Sequence, residues 1–137
     1  MKPQYEIGMV GLGVMGRNLL LNMADHGYSV AGYDKDAAKV TALRKEEENL
    51  EIRGAKSLPE FLDLLRVPRA VMMLVPAGPP VDAVIHDLLP HLAGGDLIID
   101  GGNSHFSDME LRTKTLAERG IQFLEALEID LRDARRG

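Results

Sequence analysis

Between an apolar run, Ile7 to Val10, and the start of an apolar helical pattern lie three glycines spaced as Gly11-Leu12-Gly13-Val14-Met15-Gly16. A second apolar run, Ser29 to Tyr33, ends in Asp34, roughly twenty residues further on. Strand, tight turn and helix must then follow one another almost without a spacer. Gly11 permits the turn, Gly13 lets the backbone approach a pyrophosphate, and Gly16 lets the helix pack close to the strand. The opening helical turn, with Val14 and Met15, offers unpaired N–H groups and a partial positive charge to phosphates. Asp34, at the tip of the second strand, is placed to accept both ribose hydroxyls of an adenosine. Three glycines alone would be only a turn. The strand before, the helix after and the acid at this distance make the pattern specific for a dinucleotide site.

Length and charge bound what such a site can belong to. A chain of 137 residues suffices for one domain with a proper core and is too short for two. A net charge of −5 argues against nucleic acid or an anionic membrane as a main partner. Cysteine is absent from the sequence, which removes disulfides, thiolate metal sites and cysteine nucleophiles. No apolar stretch approaches the roughly 20 residues of a membrane span, and Met1 to Glu6 lacks the apolar core of a signal peptide. The expected location is cytoplasmic.

Apolar runs and helical patterns alternate along the chain, as in a parallel sheet covered by helices. Strands are predicted at Ile7 to Val10, Ser29 to Tyr33, Ala70 to Val75, Asp96 to Asp100 and Ile121 to Leu124. A first helix, Val14 to His26, carries Met15, Leu19, Leu20 and Met23 on one face and stops at Gly27. A second, Asp36 to about Glu47, buries Ala37, Val40 and Leu43 and ends in the solvated run Glu46 to Glu48. Ser57 and Glu60 form a capping box for a short helix through Leu65. Pro79 and Pro80 open a helix reaching about His91, and Ser107 or Asp108 caps one ending at Gly120. The fold class is α/β, a doubly wound and mostly parallel sheet with helices on both faces, its ligand crevice at the C-terminal strand ends.

Residues at those ends carry the functional reading. Asp34 repels a 2′-phosphate and so favours NAD over NADP, while Lys35 and Arg44 are cations able to soften that preference. Val75-Pro76-Ala77-Gly78 suits a rigid loop beside a flat ring or ribose, and equally an ordinary strand exit. In Asp100-Gly101-Gly102-Asn103-Ser104 two glycines bring the backbone close to a ligand, and Asn103 offers both a donor and an acceptor. His26, His86 and His91 fall near helix ends and share no metal spacing, and His105 beside the crevice reads as a surface residue. No metal is assigned. The methionines read as core packing.

Together these motifs resemble the N-terminal, Rossmann-like domain of 6-phosphogluconate dehydrogenase and its β-hydroxyacid dehydrogenase relatives. The residues carrying the likeness are Gly11 to Leu19, Asn22 to Gly27, Pro68-Arg69, Val75 to Gly78 and Ile98 to Ser104. The resemblance implies hydride transfer from 6-phosphogluconate to a nicotinamide cofactor, then loss of CO2 to give ribulose 5-phosphate. It implies that the glycine loop and Val75 to Ala77 line the cofactor, with Asn103 positioned near the nicotinamide and sugar acid. NADP-using members carry Asn-Arg-Thr or Asn-Arg-Ser after the second strand. Tyr33-Asp34-Lys35 and Pro76 are closer to the NAD-linked branch.

Two departures qualify the likeness. Where the family has a Ser-Gly-Gly substrate segment, this chain has Leu124 to Asp133. The sequence also stops at Gly137, before the helical domain that supplies the family's lysine acid/base. The expectation is cofactor binding without appreciable turnover, since proton transfer needs a base and an acid held near their targets. The expected division is a dinucleotide-binding domain at 1–124 and an altered tail at 125–137. In the tail, Leu127, Ile129 and Leu131 alternate as in a half-buried strand, while Leu124, Leu127 and Leu131 fit a helix almost as well. With Met109 and Leu111 they add apolar surface that either folds back on the domain or pairs two copies as a homodimer. Two other readings stand beside the binding module: an engineered or self-associating scaffold, and an oxidoreductase completed by another chain.

Overall fold

The computed structural model describes residues 4–76, 78–102 and 106–125. Its elements are β1 (Ile7–Val10), α1 (Val14–Asp25), β2 (Val30–Tyr33), α2 (Ala37–Arg44), β3 (Ile52–Gly54) and α3 (Leu58–Leu64), followed by β4 (Ala70–Met73), α4 (Pro79–Leu88), a 3-10 turn at Leu89–His91, β5 (Leu97–Asp100), α5 (Phe106–Ala117) and β6 (Gln122–Glu125). The strands form one six-stranded sheet in the order β3-β2-β1-β4-β5-β6, parallel throughout. The chain winds outward from β1 to β3, then returns beside β1 to lay down β4. Between β1 and β4 the order reverses, and the strand ends there leave a crevice.

Side chains alternate across the sheet with the period of two that a strand imposes. Met9, Val30, Val40, Leu43 and Leu20 form one core cluster, on the face covered by α1 and α2. Val10, Val71, Met73, Phe61, Ile85 and Leu116 belong to the other, under α3, α4 and α5. Burial on both faces explains why the strands read as near-continuous apolar runs.

Local chemistry sets the helix starts. Asp36 caps α2 by accepting from the Ala38 N–H at 3.0 Å. Ser57 caps α3, accepting from the Glu60 N–H at 3.3 Å. The return arm of that capping box slips by one residue, since Glu60 accepts from the Lys56 N–H at 3.2 Å.

Several expectations are corrected. The strand β3 carries no apolar alternation beyond Ile52 and was not predicted; its pairing with β2 through Val30–Ile52 and Gly32–Gly54 creates it. Ala37 is exposed; the buried residues of α2 are Val40 and Leu43. Met15 is 73% exposed; the buried face of α1 is Gly16, Leu20 and Ala24, so the small residues set the closest approach to the sheet. Met109, expected on the surface, is only 6% exposed and packs in the core. Ser107 and Asp108 lie inside α5, which begins at Phe106, and neither is its cap. The acids after α2 are not merely solvated: Glu46 pairs with Arg17 at 3.4 Å, and Glu47 accepts from the Gly54 N–H at 3.0 Å. β6 runs to Glu125, one residue past the expected strand end, and the remainder of the tail lies outside the described residues.

Candidate functional site

At the end of β1 the chain turns at once. Gly11 has a φ of +102°, a conformation that side chains disfavour, and its N–H donates to the Tyr33 carbonyl at 3.0 Å. Three residues later, at Val14, the helix begins. The Arg17 N–H donates to the Gly13 carbonyl at 2.9 Å and closes the first turn of α1. The N–H groups of Val14, Met15 and Gly16 precede that bond and have no carbonyl partner inside the helix. Gly13 is the N-cap and has no side chain to satisfy them, and no acid stands in the first turn of α1.

The three glycines have different reasons. A Cβ on Gly16 would overlap the Gly11 carbonyl oxygen, so only glycine lets α1 sit this close to the turn. A Cβ on Gly13 would meet nothing within 4 Å. Gly13 is therefore not demanded by protein packing; its missing side chain opens space in front of these N–H groups, which have no partner among the described residues. A phosphate fits there on charge, donor set and clearance.

Asp34 stands at the tip of β2, half-buried. Its Oδ2 accepts from the Leu12 N–H at 2.8 Å and its Oδ1 from the Asp36 N–H at 2.8 Å. The sequence reading placed an acid next to a glycine loop; the structure ties the two together. Each carboxylate oxygen keeps a further lone pair for a hydroxyl donor. Lys35 is exposed beside it. Arg44 is not: its Nε donates to the Gly54 carbonyl at 3.0 Å, and its guanidinium pairs with Glu47 and Glu60. These contacts tie it to β3.

A crevice of about 500 Å3 runs from the glycine loop across the switch point, lined by Gly13 to Gly16, Leu74, Val75, Pro76, Gly101 and Gly102. Gly101 donates to the Met73 carbonyl at 2.9 Å, and Gly102 to Asp100 Oδ1 at 2.9 Å, so the backbone after β5 is fixed against β4. A cavity of about 370 Å3 on the other side of β1 is bounded by Tyr33, Lys35, Val84, Asp87 and His91. The structure thus gathers Gly13, Val14, Met15, Gly16, Val75 and Pro76 around one crevice; Gly11 makes the turn that leads into it, Asp34 is tied to the loop at Leu12, and Lys35 lines the second cavity. Ala77 and Asn103 lie outside the described residues. Among those described, no three His, Asp or Glu side chains converge as a metal site would need, and no helix is long and apolar enough to cross a membrane.

Sequence reading missed one pair near the crevice. Arg112 of α5 is 7% exposed, and its Nε donates to Asp82 Oδ1 of α4 at 2.8 Å. The guanidinium holds the Asp82 carboxyl below the usual aspartate range, and the carboxylate in turn raises Arg112. A sequence separation of 30 residues leaves no periodic signal that could join them.

A family model described as the NAD binding domain of 6-phosphogluconate dehydrogenase matches residues 6–126. A decarboxylating 6-phosphogluconate dehydrogenase from Candida albicans is 53% identical over 120 residues, covering 87% of this chain and 23% of that protein. One from Chlamydia pneumoniae is 52% identical, covering 88% of this chain and 26% of that protein. The chain spans about a quarter of the length of these curated relatives. Among solved structures, 6-phosphogluconate dehydrogenase of Plasmodium falciparum, described with NADP+ and with its substrate, superposes with a TM-score of 0.80 at 38% identity, over 86% of this chain and 26% of that one. A 3-hydroxyisobutyrate dehydrogenase of Mycobacterium tuberculosis shares the fold, with a TM-score of 0.73 at 21% identity, over 89% of this chain and 40% of that one.

Proposed function

Because the chain belongs to the family of NAD-binding domains of 6-phosphogluconate dehydrogenase, we propose that its crevice binds a nicotinamide dinucleotide, with NAD favoured over NADP. The observation carrying this reading is the open space at Gly13 in front of the first N–H groups of α1, unpaired among the described residues and flanked by Asp34. The pyrophosphate takes the N–H groups of Val14, Met15 and Gly16, where the helix dipole also favours an anion. The adenosine ribose takes the spare lone pairs of Asp34, and the carboxylate opposes a 2′-phosphate. The second nucleotide lies across the switch point, against Val75, Pro76, Gly101 and Gly102. When bound, the nicotinamide ring supplies a two-electron hydride acceptor.

The preference is assigned from this chain's own residues, since the Plasmodium relative is described with NADP+. In a complete enzyme of the family, the reading assigns the described residues to binding and orienting the cofactor beside a sugar acid such as 6-phosphogluconate. The base and acid that oxidation and decarboxylation require are outside what it assigns to them. Calorimetric titration of the chain with NADH and NADPH tests the reading. Saturable NADH binding with weaker NADPH binding supports it. Failure to saturate at millimolar NADH refutes the site, and tighter NADPH binding refutes the role given to Asp34.

A further inference from the structure

The crevice is lined on its far side by two loops from different strands, Val75–Pro76 after β4 and Gly101–Gly102 after β5. Each leads into a helix, α4 and α5. One buried cation joins those helices. Arg112 Nε and Nη2 donate to the two carboxylate oxygens of Asp82 at 2.8 and 3.2 Å, and Nη2 donates again to the Gly78 carbonyl at 3.2 Å. Gly78 is the N-cap of α4, with a φ of +91°, two residues past Pro76. The guanidinium also feels the charge of Asp100, the last residue of β5, and of Asp108 on its own helix. Its Nη1 is buried without a hydrogen-bond partner among the described residues.

The cost of burying a guanidinium whose Nη1 amino group, with its two N–H donors, has no partner among the described residues is hard to explain by stability alone. Asp82 is 64% exposed, so the pair is weakly insulated from solvent on that side. What the contact does secure is geometry. A planar fork held at two carboxylate oxygens and one backbone carbonyl fixes the start of α4 against α5, and so the spacing between the two loops.

We propose that Arg112, braced by Asp82, is a positioning residue that sets the width of the crevice at its nicotinamide end. It touches no cofactor itself; it acts through Gly78 on the Val75–Pro76 loop. The inference rests on the dinucleotide reading above and adds a residue which that reading does not use. The adenosine and pyrophosphate end, built from α1 and Asp34, is independent of this contact.

The test compares NADH with ADP-ribose, which keeps the adenosine, pyrophosphate and second ribose but lacks the nicotinamide. Both are titrated calorimetrically into the 137-residue chain and into Asp82→Asn and Arg112→Lys. Wild type is expected to bind NADH more tightly than ADP-ribose. In each variant NADH should weaken by roughly tenfold, or to the ADP-ribose level if that is nearer, while ADP-ribose changes less than about twofold. A merely structural role would weaken both ligands in parallel. Parallel weakening, unchanged NADH binding in Asp82→Asn, or a wild type that gains nothing from the nicotinamide overturns the proposal. Absence of all binding by wild type is a separate outcome, which overturns the dinucleotide reading and this inference with it. Should Arg112→Lys fail to fold, Asp82→Asn at its exposed position carries the comparison.

Discussion

Gly13 and Gly16 stand three positions apart, yet replacing each by alanine should fail in opposite ways. At Gly16 the new Cβ would overlap the Gly11 carbonyl oxygen and lie 3.1 Å from its carbon. Neither atom can yield easily, because the Gly11 N–H is bonded to Tyr33 at 3.0 Å. The helix α1 must then lift from the sheet and loosen the packing of Leu20 and Ala24. Overpacking of this severity costs about 3 kcal/mol, and the better helix propensity of alanine returns about 1 kcal/mol. The net loss of about 2 kcal/mol lowers Tm by about 6–8 °C for a domain of this size. At Gly13 the Cβ meets nothing within 4 Å, and φ is −65°. Alanine is the poorer N-cap by about 1 kcal/mol, whereas its stiffer unfolded chain contributes about 0.4–1 kcal/mol in its favour. The two nearly cancel, and Tm should move by no more than about 2 °C. The added methyl, however, fills the space proposed for the diphosphate, so NADH affinity should fall at least tenfold, about 1.4 kcal/mol. Scanning calorimetry and NADH titration on both variants decide the matter. If Gly13→Ala melts as low as Gly16→Ala, or binds NADH as wild type does, the assignment of the crevice is wrong.

Three further outcomes follow from the charges. Asp34→Ala removes the acceptor of the Leu12 and Asp36 N–H groups and should both weaken NADH and narrow the NADH-to-NADPH preference; an unchanged ratio in paired titrations counts against the role of this carboxylate. Asp96 is fully buried and accepts from the Arg69 N–H at 2.7 Å, the Ala93 N–H at 2.9 Å and Arg69 Nη1 at 3.3 Å. Asp96→Ala leaves those donors and the Arg69 charge unpaired and should cost about 3–5 kcal/mol in urea unfolding; a loss under about 1 kcal/mol would show that water replaces the carboxylate. Arg112 lowers the Asp82 carboxyl from its ordinary 3.8, so this pair's contribution is complete above that value and lost as pH falls below it. Asp82→Asn should lower Tm at neutral pH by a small amount, because Asp82 is mostly exposed, and should converge with wild type below about pH 4, as followed by thermal melts; a difference that persists at low pH would refute the assignment.

What could be read beforehand divides by the range of the interaction. The glycine loop, the Ser57 cap and the buried strands are written in adjacent residues, and their elements appear within a residue or two of expectation. β3 escaped because Ile52-Arg53-Gly54 is made a strand by β2 alongside it, a neighbour 22 residues away. Met15 and Met109 exchanged places with expectation for a related reason. Periodicity locates a stripe on a helix, but which part of the stripe meets the sheet depends on where Gly16 allows contact and how α5 is set against β5. The same limit applies at the site. The position of Asp34 relative to the glycines is a sequence spacing, whereas its bond to Leu12 and the Arg112–Asp82 pair exist only once separate elements are brought together.

On the proposed reading, the tie between Asp34 and Leu12 makes cofactor choice a matter of architecture as well as of charge. One side chain both props the loop proposed to receive the diphosphate and stands at the place proposed to tell NAD from NADP. Exchanging it to welcome a different nucleotide would slacken its own support, since even an asparagine offers one acceptor oxygen to two amide donors. An engineer seeking altered preference would do better to leave the prop standing and begin with Lys35, exposed at its side.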